Sequence, residues 1–494
     1  MTAAAERAAI VETHCAVVVF VGERAYKLKK PVDLGFLDFR TVDARRQACE
    51  REVLLNRRLA PDVYLGVADV TGPDGELCDF LVVMRRMPAN RRLSTLVRSG
   101  ADVRDGLRVL AGQLAAFHAT ARHDQQTAAE GSRDAVRSRW QASFDQTRPF
   151  RGSVLDEAET AEVERLAMRY LAGREPLFFA RAAAGLVRDG HGDLLADDVF
   201  LLPDGPRALD CIEFDDRLRY VDGLDDAAFL AMDLERLGAP SLGRSFLDRF
   251  VELSGTPRVA SLEHHYVAYR AFVRAKVACL RAAQGDPAAQ LEARACVRIA
   301  LHHLRAAQVR LVLIGGLPGV GKSTVAAALA DRMPAALFRT DVIRKEFAFL
   351  GIDEPGPAPY RTGLYEPEVT EATYRALLDD ARAVLERGES VVLDASWTDP
   401  GTRDRAIELA EATHSDLTQL HCVAPGPVAE RRLAERVGDV SDADAAIAAA
   451  MAADFAPWPA ATVIDTTGTV AAAVAAAQDA VTRDLRSWAA PALT

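Results

Sequence analysis

A glycine-rich segment between an apolar run and an alanine-rich run constrains the fold of this chain most. The segment Gly316-Leu-Pro-Gly-Val-Gly-Lys-Ser-Thr324 follows the apolar run from Arg310 to Gly315 and precedes the alanine-rich run from Val325 to Arg332. This order predicts a strand, a loop and a helix, which is the structural context of a phosphate-binding loop, or P-loop. The segment therefore predicts an α/β P-loop domain with a parallel sheet.

Each residue type in the segment has a chemical reason to lie beside a nucleotide. Glycines let backbone N–H groups curl around a polyphosphate, and the N-terminus of the following helix attracts its negative charge. Lys322 supplies a mobile cation, and the Ser323 hydroxyl is a ligand for Mg²⁺. A tight turn without a ligand is the alternative. The predicted nucleotide-binding residues are Gly316, Gly319, Gly321, Lys322, Ser323 and Thr324.

Length and composition restrict the remaining interpretations. A chain of 494 residues exceeds the size at which one core keeps growing, so we expect more than one domain. No run approaches the roughly 20 apolar residues that cross a bilayer, and no signal segment is visible, so we expect a cytoplasmic protein. Seven scattered cysteines predict reduced thiols. The net charge of −11 disfavours nonspecific binding to nucleic acid or anionic membranes.

The sequence pattern changes near residue 305. Two apolar runs around Gly22-Glu23 predict a strand hairpin, and helical periodicity dominates from about residue 102 onward, up to Gln308. A regular alternation of strand and helix begins at Arg310. Within the first part, residues 124–152 are interpreted as a loop with short helices, and two short apolar runs around Pro203-Asp-Gly predict a second hairpin. We therefore predict an α+β domain over residues 1–305 and an α/β domain over residues 306–494.

Three aspartates in the first half suit phosphoryl transfer. Asp193 lies in the phrase HGD, Asp198 follows five residues later, and Asp210 comes next, so that the three lie on a predicted loop and the hairpin behind it. Such a set provides one carboxylate to orient an acceptor hydroxyl and others to hold the metal that bridges ATP phosphates. Upstream, Lys27 lies on a predicted strand and Glu52 on the next helix, as a phosphate-binding lysine and its partner require.

The region from Val11 to Ala306 resembles the aminoglycoside phosphotransferase family of kinase-like enzymes, on the phrases AYKLKKPV, HGDL and DCIEF. The resemblance implies a protein-kinase-like fold with its adenine pocket around residues 84–87. It also implies roles for four residues: Asp193 as catalytic base, Asp210 as principal Mg²⁺ ligand, Lys27 as phosphate-binding lysine and Glu52 as its partner.

The first half departs from the family pattern at Asp198. The family usually has asparagine there as second metal ligand, but an aspartate still offers oxygen to Mg²⁺. Asp198 is therefore also predicted as a metal ligand, and a degenerate, ligand-binding domain without chemistry is the alternative. Two nearby features have structural explanations. Asp225 and Asp226 are interpreted as caps of a helix, and Arg270 and Arg274 as a solvated helix face rather than an anion site.

The second half contains further candidate residues. Asp341 follows a short predicted strand, and Arg344 lies one helical turn later, as a base and an acceptor clamp would. Asp394 ends an apolar strand, where a carboxylate contacts Mg²⁺ or its water. Arg432 and Arg436 lie four residues apart on a predicted helix, which suits a lid that closes on phosphates.

These phrases, among them GLPGVGKST, RTDVIRK and VVLDASW, resemble small P-loop kinases, which include gluconate kinase, zeta toxins and the kinase domain of polynucleotide kinases. The resemblance spans about Val309 to Leu485. It implies that Asp341 is the general base, that Arg344 binds the acceptor and that the two arginines of the predicted lid helix close on the phosphates. Tyr365 and Tyr374 are candidates for the wall of the acceptor pocket.

The sequence as a whole predicts a two-domain, Mg²⁺-ATP-dependent phosphotransferase. Its predicted partner is a small hydroxylated molecule such as a sugar, with no nucleic acid and no membrane. One alternative is a regulatory P-loop ATPase with a degenerate kinase-like domain. The other is a polynucleotide 5′-hydroxyl kinase, which the acidic charge balance disfavours.

Overall fold

The chain forms two compact units. The computed structural model describes residues 9–12, 15–33, 38–351, 354, 360–435, 441 and 443–482. The first unit contains the described residues up to Val163, together with Phe178–Arg258 and Glu263–His303. The second contains Glu164–Leu177, Val259–Leu262 and the described residues from Leu304 onward. The second unit therefore includes two segments that precede residue 305.

The first unit is built on an antiparallel five-stranded sheet with the order β1-β2-β3-β5-β4. Gly22, at a φ of 55°, lies in the turn between β2 and β3. Two small hairpin-like sheets, β6 with β9 and β7 with β8, follow. The strands are β1 (Ala9–Glu12), β2 (Ala16–Val21), β3 (Arg24–Lys29), β4 (Tyr64–Thr71), β5 (Leu77–Arg85), β6 (Val187–Asp189), β7 (Val199–Leu202), β8 (Gly205–Ala208) and β9 (Tyr220–Asp222).

Helices make up most of the rest of the chain before residue 307. The first of them, α1, buries Cys49 and Val53 against Phe80 and Val82 of β5, which fixes the helix on the sheet. The helices are α1 (Val42–Asn56), α2 (Leu93–Arg98), α3 (Arg104–Thr120), α4 (Gln125–Glu130), α5 (Arg133–Thr147), α6 (Glu157–Ala172), α7 (Glu175–Ala183), α8 (Gly223–Arg236), α9 (Pro240–Ser254), α10 (Ala260–Ala283) and α11 (Pro287–Ala306).

The second unit contains a parallel five-stranded sheet with the order β11-β12-β10-β13-β14. Its central strand begins a new run of elements: β10 (Arg310–Gly315), α12 (Lys322–Arg332), β11 (Ala336–Arg339), α13 (Thr340–Phe347), α14 (Pro367–Leu385), β12 (Val391–Asp394), α15 (Pro400–Ala412), β13 (Asp416–Val423), α16 (Gly426–Ala434), α17 (Ala445–Asp454), β14 (Thr462–Asp465) and α18 (Val470–Val481).

The core of this second sheet explains its parallel topology. Residues 311–314 of β10 and residues 391–393 of β12 are all 0% exposed, as expected of strands that helices cover on both faces. The chain leaves β10 toward β11 on one side and later adds β13 on the other side, so β10 lies at the switch point of the sheet. Ligands of such folds bind outside the carboxyl ends of the strands at this point.

The predicted fold class, an α+β domain followed by a parallel α/β domain, is confirmed. Among the helices of the described residues, none is long and apolar enough to span a membrane. All seven cysteines lie in the described part of the chain, and all are free thiols.

Candidate active sites

The P-loop connects β10 to α12 at the carboxyl end of the central strand. Gly316, Gly319 and Gly321 have φ values of 140°, 81° and 89°, which residues with a side chain rarely adopt. A Cβ on Gly316 would lie 2.5 Å from the carbonyl oxygen of Cys422, and one on Gly319 would lie 2.6 Å from that of Ala429. The loop therefore needs glycine for its backbone conformation and for its close packing.

Asp394 ends the strand next to the P-loop. Its Oδ2 accepts a hydrogen bond of 3.1 Å from Arg339 Nε, while its buried Oδ1 accepts none from the described residues. Burial raises the pKa of Asp394, although Lys322 and the Ser323 hydroxyl act in the opposite direction. An unsatisfied carboxylate oxygen beside the P-loop fits Mg²⁺ or its bound water.

The described residues contain no cluster of three or more His, Cys, Asp or Glu side chains that by itself would hold a metal. This arrangement is compatible with a nucleotide-bound Mg²⁺, because that ion keeps several waters and takes further oxygens from the phosphates. A protein site for such an ion needs only one or two side-chain ligands.

Asp341 and Arg344 lie on the first two turns of α13. Arg344 Nη1 donates to Asp341 Oδ1 at 2.7 Å, and the guanidinium lies 4.7 Å from the ring centroid of Tyr365. Burial would raise the pKa of Asp341, but Arg344 and Lys322 outweigh it and the pKa is lowered. Asp341 is therefore an ionised carboxylate close to the P-loop lysine.

A cavity of 760 Å³ opens beside these groups. Lys322, Asp341 and Arg344 line it, together with Tyr365 and Tyr374, the two tyrosines predicted for its wall. Its volume lies within the range that small-molecule sites occupy. The charged residues and hydroxyl groups in its wall suit a polar, hydroxylated ligand.

The Tyr374 side of the cavity is held rigidly, a feature that the sequence did not reveal. The Tyr374 hydroxyl accepts a hydrogen bond of 3.1 Å from the backbone N–H of Trp397 and lies 3.2 Å from Ser396 Oγ. Trp397 has a φ of 53° and is 0% exposed, and its backbone carbonyl accepts a 2.7 Å hydrogen bond from Arg403 Nε. Such strain at a non-glycine residue concentrates at functional sites.

Arg432 lies beside the P-loop, where its guanidinium donates hydrogen bonds to two backbone carbonyl groups. Its Nη2 donates to the carbonyl oxygen of Thr466 at 2.7 Å, and its Nη1 to that of Val320 at 3.4 Å. The guanidinium thus holds the P-loop against the end of β14. Its predicted partner Arg436 lies outside the described residues.

In the first unit, Lys27 contacts its predicted partner Glu52 and the predicted Mg²⁺ ligand Asp210. Its Nζ lies 2.9 Å from Glu52 Oε1 and 2.7 Å from Asp210 Oδ1. Asp210 has a φ of 63°, a conformation that is uncommon for a residue with a side chain. A sheet lysine that faces a glutamate on the following helix and an aspartate after the catalytic loop is the kinase-like arrangement that the sequence predicts.

Asp193, Asp198 and Asp210 lie close enough together for their charges to affect one another's pKa. Burial raises the pKa of Asp193 to about 6, and the nearby Asp210 adds to this effect. Burial, followed by Asp210 and Asp193, raises the pKa of Asp198 well above its ordinary value, whereas Lys27 lowers the pKa of Asp210. Asp198 and Asp210 each offer carboxyl oxygen, the ligand atom that Mg²⁺ prefers, and a nucleotide-bound Mg²⁺ needs only one or two protein ligands.

Asp226 organises the loop that carries Asp193. It accepts hydrogen bonds from the backbone N–H groups of His191 and Gly192, at 2.7 and 2.8 Å, and lies 2.9 Å from His118 Nε2. The residue that caps α8 is Asp222, whose side chain accepts from the backbone N–H of Leu224. The interpretation of Asp226 as a helix cap is therefore wrong, because its carboxylate faces another loop.

Arg270 is also buried rather than solvated. Its Nε and Nη2 donate to Asp225 at 2.7 and 2.9 Å, and its Nη1 donates to the carbonyl oxygen of Gly192 at 3.0 Å. The predictions of a solvated arginine and of a capping role for Asp225 are both wrong, since the two residues form one buried ion pair. Arg274 lies close enough to Asp193 to oppose the rise of its pKa.

Helix α1 is joined to the same loops by residues that sequence reasoning missed. Asn56 Oδ1 accepts from the backbone N–H of Cys211 at 2.9 Å. Arg58 donates to the carbonyl oxygens of Asp189 and Gly190 at 3.0 and 2.9 Å. The only local signal was a polar residue at the end of the helix, which does not identify a partner 155 residues away.

The comparison with known protein families agrees with the P-loop assignment. Residues 311–458 match a protein family described as an AAA domain. A sugar kinase structure from Janibacter sp. HTCC2649 is 21% identical and covers 35% of this chain and 94% of its own, with a TM-score of 0.28. A choline/ethanolamine kinase family protein from Mesorhizobium loti is 12% identical and covers 61% of this chain and 94% of its own, with a TM-score of 0.37.

A relative matches nearly the whole chain. An uncharacterised protein of Mycobacterium tuberculosis is 44% identical over 457 residues, which are 92% of this chain and 92% of the relative. The match extends over far more of the chain than the AAA domain does, so both units belong to the shared architecture. The chain is a member of the same protein family as this mycobacterial protein.

Proposed function

We propose that the protein is an Mg²⁺-ATP-dependent phosphotransferase that acts on a hydroxyl group of a small molecule at its P-loop site. One observation carries the proposal: Lys322, Asp341 and Arg344 line a single cavity of 760 Å³ at the end of the P-loop. A site for ATP hydrolysis alone needs no such cavity for a second substrate. An ionised carboxylate next to the phosphate lysine is what an acceptor hydroxyl requires.

The proposed roles follow from the contacts. The P-loop N–H groups and Lys322 hold the phosphates, and Ser323 and Asp394 would hold Mg²⁺. A bound Mg²⁺ would neutralise charge that develops on the phosphates during transfer. Asp341 accepts the hydrogen bond of the acceptor hydroxyl and orients it. Arg344, which now pairs with Asp341 and stacks on Tyr365, contacts the acceptor.

Asp341→Asn tests the proposal. The variant keeps the size of the side chain but removes the proton acceptor, so transfer should slow by roughly 10²–10⁴-fold while ATP affinity is retained. The measurement is phosphorylation of a panel of sugars and other hydroxylated metabolites with labelled ATP. Asp331→Asn, an exposed position on α12, is the matched control and should behave as the parent.

The results of the panel also separate the alternatives. Unchanged transfer in Asp341→Asn would show that another group is the base. Hydrolysis of ATP without any acceptor would support a regulatory ATPase instead. Labelling of an oligonucleotide 5′-hydroxyl at low salt would support the polynucleotide kinase interpretation.

We propose a second phosphotransferase site in the first unit. The observation that favours it is the position of Lys27 between Glu52 and Asp210, close enough to Asp198 to oppose the rise of its pKa. Lys27 would bind the phosphates, Asp193 would orient a hydroxyl acceptor, and the other two aspartates are placed to hold Mg²⁺. Asp193→Ala should abolish transfer at this site without abolishing nucleotide binding.

A further inference from the structure

Beyond Lys27, positively and negatively charged side chains alternate in a series of ion pairs. Lys27 and Lys29 lie two residues apart on β3, so both side chains leave the same face of the sheet. Lys27 Nζ lies 2.9 Å from Glu52 Oε1, and Lys29 Nζ lies 2.5 Å from Glu52 Oε2. Lys29 also forms an ion pair with Glu213. The charges therefore follow the order Asp210, Lys27, Glu52, Lys29, Glu213.

The middle of this series of charged side chains is its most buried part, and Glu213 at the far end is 10% exposed. The side chain of Asp210 is 52% exposed and that of Lys27 is 14% exposed, whereas those of Glu52 and Lys29 are 0% exposed. A charged group in such a place costs free energy unless it is paired. Lys29 forms an ion pair with a carboxylate on each side, and these pairs offset the cost of burying its charge. The proposed phosphate site uses Lys27 and leaves Lys29 without a role.

The carboxylates that Lys29 joins belong to two separate elements. Glu52 lies on α1, and Glu213 lies three residues after Asp210 in the loop that follows β8. Lys29 therefore connects α1 to the loop of Asp210 without involving Lys27. When Lys27 turns toward nucleotide phosphates, Glu52 keeps a cation on its other oxygen. Neither element then loses its charge partner during nucleotide binding.

We propose that Lys29 and Glu213 are positioning residues, which hold Glu52 and Asp210 in place so that Lys27 can exchange its carboxylate partners for nucleotide phosphates. This inference rests on the second phosphotransferase site proposed above. Without Lys29, Glu52 has Lys27 as its only cation among these residues. Lys27 is then retained by the buried glutamate, and its contact with phosphate weakens.

The test uses the full chain with Lys322→Ala, which weakens nucleotide binding at the P-loop site so that the first unit accounts for a larger share of the binding. In this background, Lys29→Met should weaken the binding of Mg²⁺-ATP by at least about tenfold, measured by calorimetry. Lys30→Met is the matched control, because Lys30 is the adjacent lysine and pairs instead with the exposed Glu12. Its affinity should stay within about twofold of the parent.

A second variant separates nucleotide affinity from folding. Lys29→Met alone leaves Glu213 buried without its cation, which also lowers the melting temperature. The double variant Lys29→Met/Glu213→Gln removes both charges, so its melting temperature should recover toward that of the parent. Its affinity for Mg²⁺-ATP should remain low, because Glu52 still depends on Lys27 alone. Recovery of both properties would mean that Lys29 acts only on stability.

Lys27→Ala in the same background distinguishes failure of the inference from failure of the site. If Lys27→Ala weakens binding while Lys29→Met behaves as Lys30→Met does, the inference is overturned and the site stands. If the Lys322→Ala parent binds no Mg²⁺-ATP, or Lys27→Ala has no effect, the second site and the inference are both wrong.

Discussion

The two candidate sites hold their loops in opposite ways. In the P-loop, glycines with φ values between 81° and 140° leave backbone N–H groups at the start of α12 for a ligand. In the first unit, the N–H groups of His191 and Gly192 are already occupied by the carboxylate of Asp226. The P-loop site therefore relies on backbone N–H groups at the N-terminus of α12. The kinase-like site relies on side chains and on a loop that a buried carboxylate holds in place.

The balance of charge differs in the same way. At the P-loop site, Lys322, Arg339 and Arg344 outweigh burial for one of two aspartates: the pKa of Asp341 is lowered, whereas that of Asp394 is raised. In the first unit, burial and then the neighbouring Asp210 and Asp193 raise the pKa of Asp198 well above its ordinary value. We therefore expect the P-loop site to bind a polyphosphate mainly through its cations, and the kinase-like site to depend on a divalent cation.

The largest expected effect concerns the loop anchor. Asp226→Asn replaces a charged acceptor of two N–H groups by an amide that can accept only on one side. We expect the free energy of unfolding of the first unit to fall by about 3 kcal/mol, since hydrogen bonds to a charged group contribute about 1.5–3 kcal/mol each. Chemical denaturation measures the change, and Asp105→Asn, whose side chain is 95% exposed on α3, is the control.

The loss of stability in Asp226→Asn should become smaller as the pH falls. Burial would raise the pKa of Asp226. The hydrogen bond with His118 and the charge of His118 outweigh this effect, so the pKa of Asp226 is lowered. Its contribution to stability is therefore complete above the unfolded pKa of about 4 and disappears as the pH falls through the folded value. A difference between variant and parent that grows on acidification would contradict this account of the anchor.

A smaller effect is expected at the P-loop, and on binding rather than on stability. Lys322→Ala removes the cation beside the phosphates, and ATP affinity at this site should fall at least about tenfold, given about 1.5–3 kcal/mol for a charge-assisted contact. Binding is measured in a Lys27→Ala background, so that the first unit does not contribute. The melting temperature should not change, in contrast to Asp226→Asn.

Arg332→Ala provides the control for this variant, because Arg332 is an exposed cation at the other end of the same helix. It should leave ATP affinity unchanged. Equal affinity in the parent and in Lys322→Ala would remove the P-loop from the proposed function. A large loss of stability in Lys322→Ala would contradict the proposed difference between the two loops, in which only the loop of Asp193 depends on a charged side chain for its stability.

The sequence predicts the P-loop site well because its determinants are local. Three glycines, a lysine and a serine within nine residues specify the loop, and the flanking periodicity specifies the strand and helix. Asp341 and Asp394 were found because each follows directly on an apolar strand. The sheet order then places both near Lys322. The roles of these residues remain predictions.

The surroundings of the kinase-like site were harder to predict because they depend on contacts distant in sequence. Asp226 was read as a helix cap since it lies at the start of α8, but its partners are 34 and 35 residues earlier. Arg270 looked solvated because helical spacing does not show which face is buried. Its partner Asp225 lies 45 residues away on another helix.

The smallest expected effect tests the need for a cation in the first unit. In a Lys322→Ala background, ATP binding should depend steeply on Mg²⁺, because the carboxylates of Asp198 and Asp210 otherwise repel the phosphates. At a pH high enough to ionise Asp198, Asp198→Asn removes one of these charges and keeps an oxygen ligand, so metal-free affinity should rise and the midpoint of the Mg²⁺ titration should shift by less than about tenfold. Asp204→Asn, in the exposed turn between β7 and β8, is the control. Calorimetry that detects no ATP binding with or without Mg²⁺ would mean that this unit keeps the kinase-like fold without its chemistry, and the P-loop site would be the one remaining candidate for catalysis.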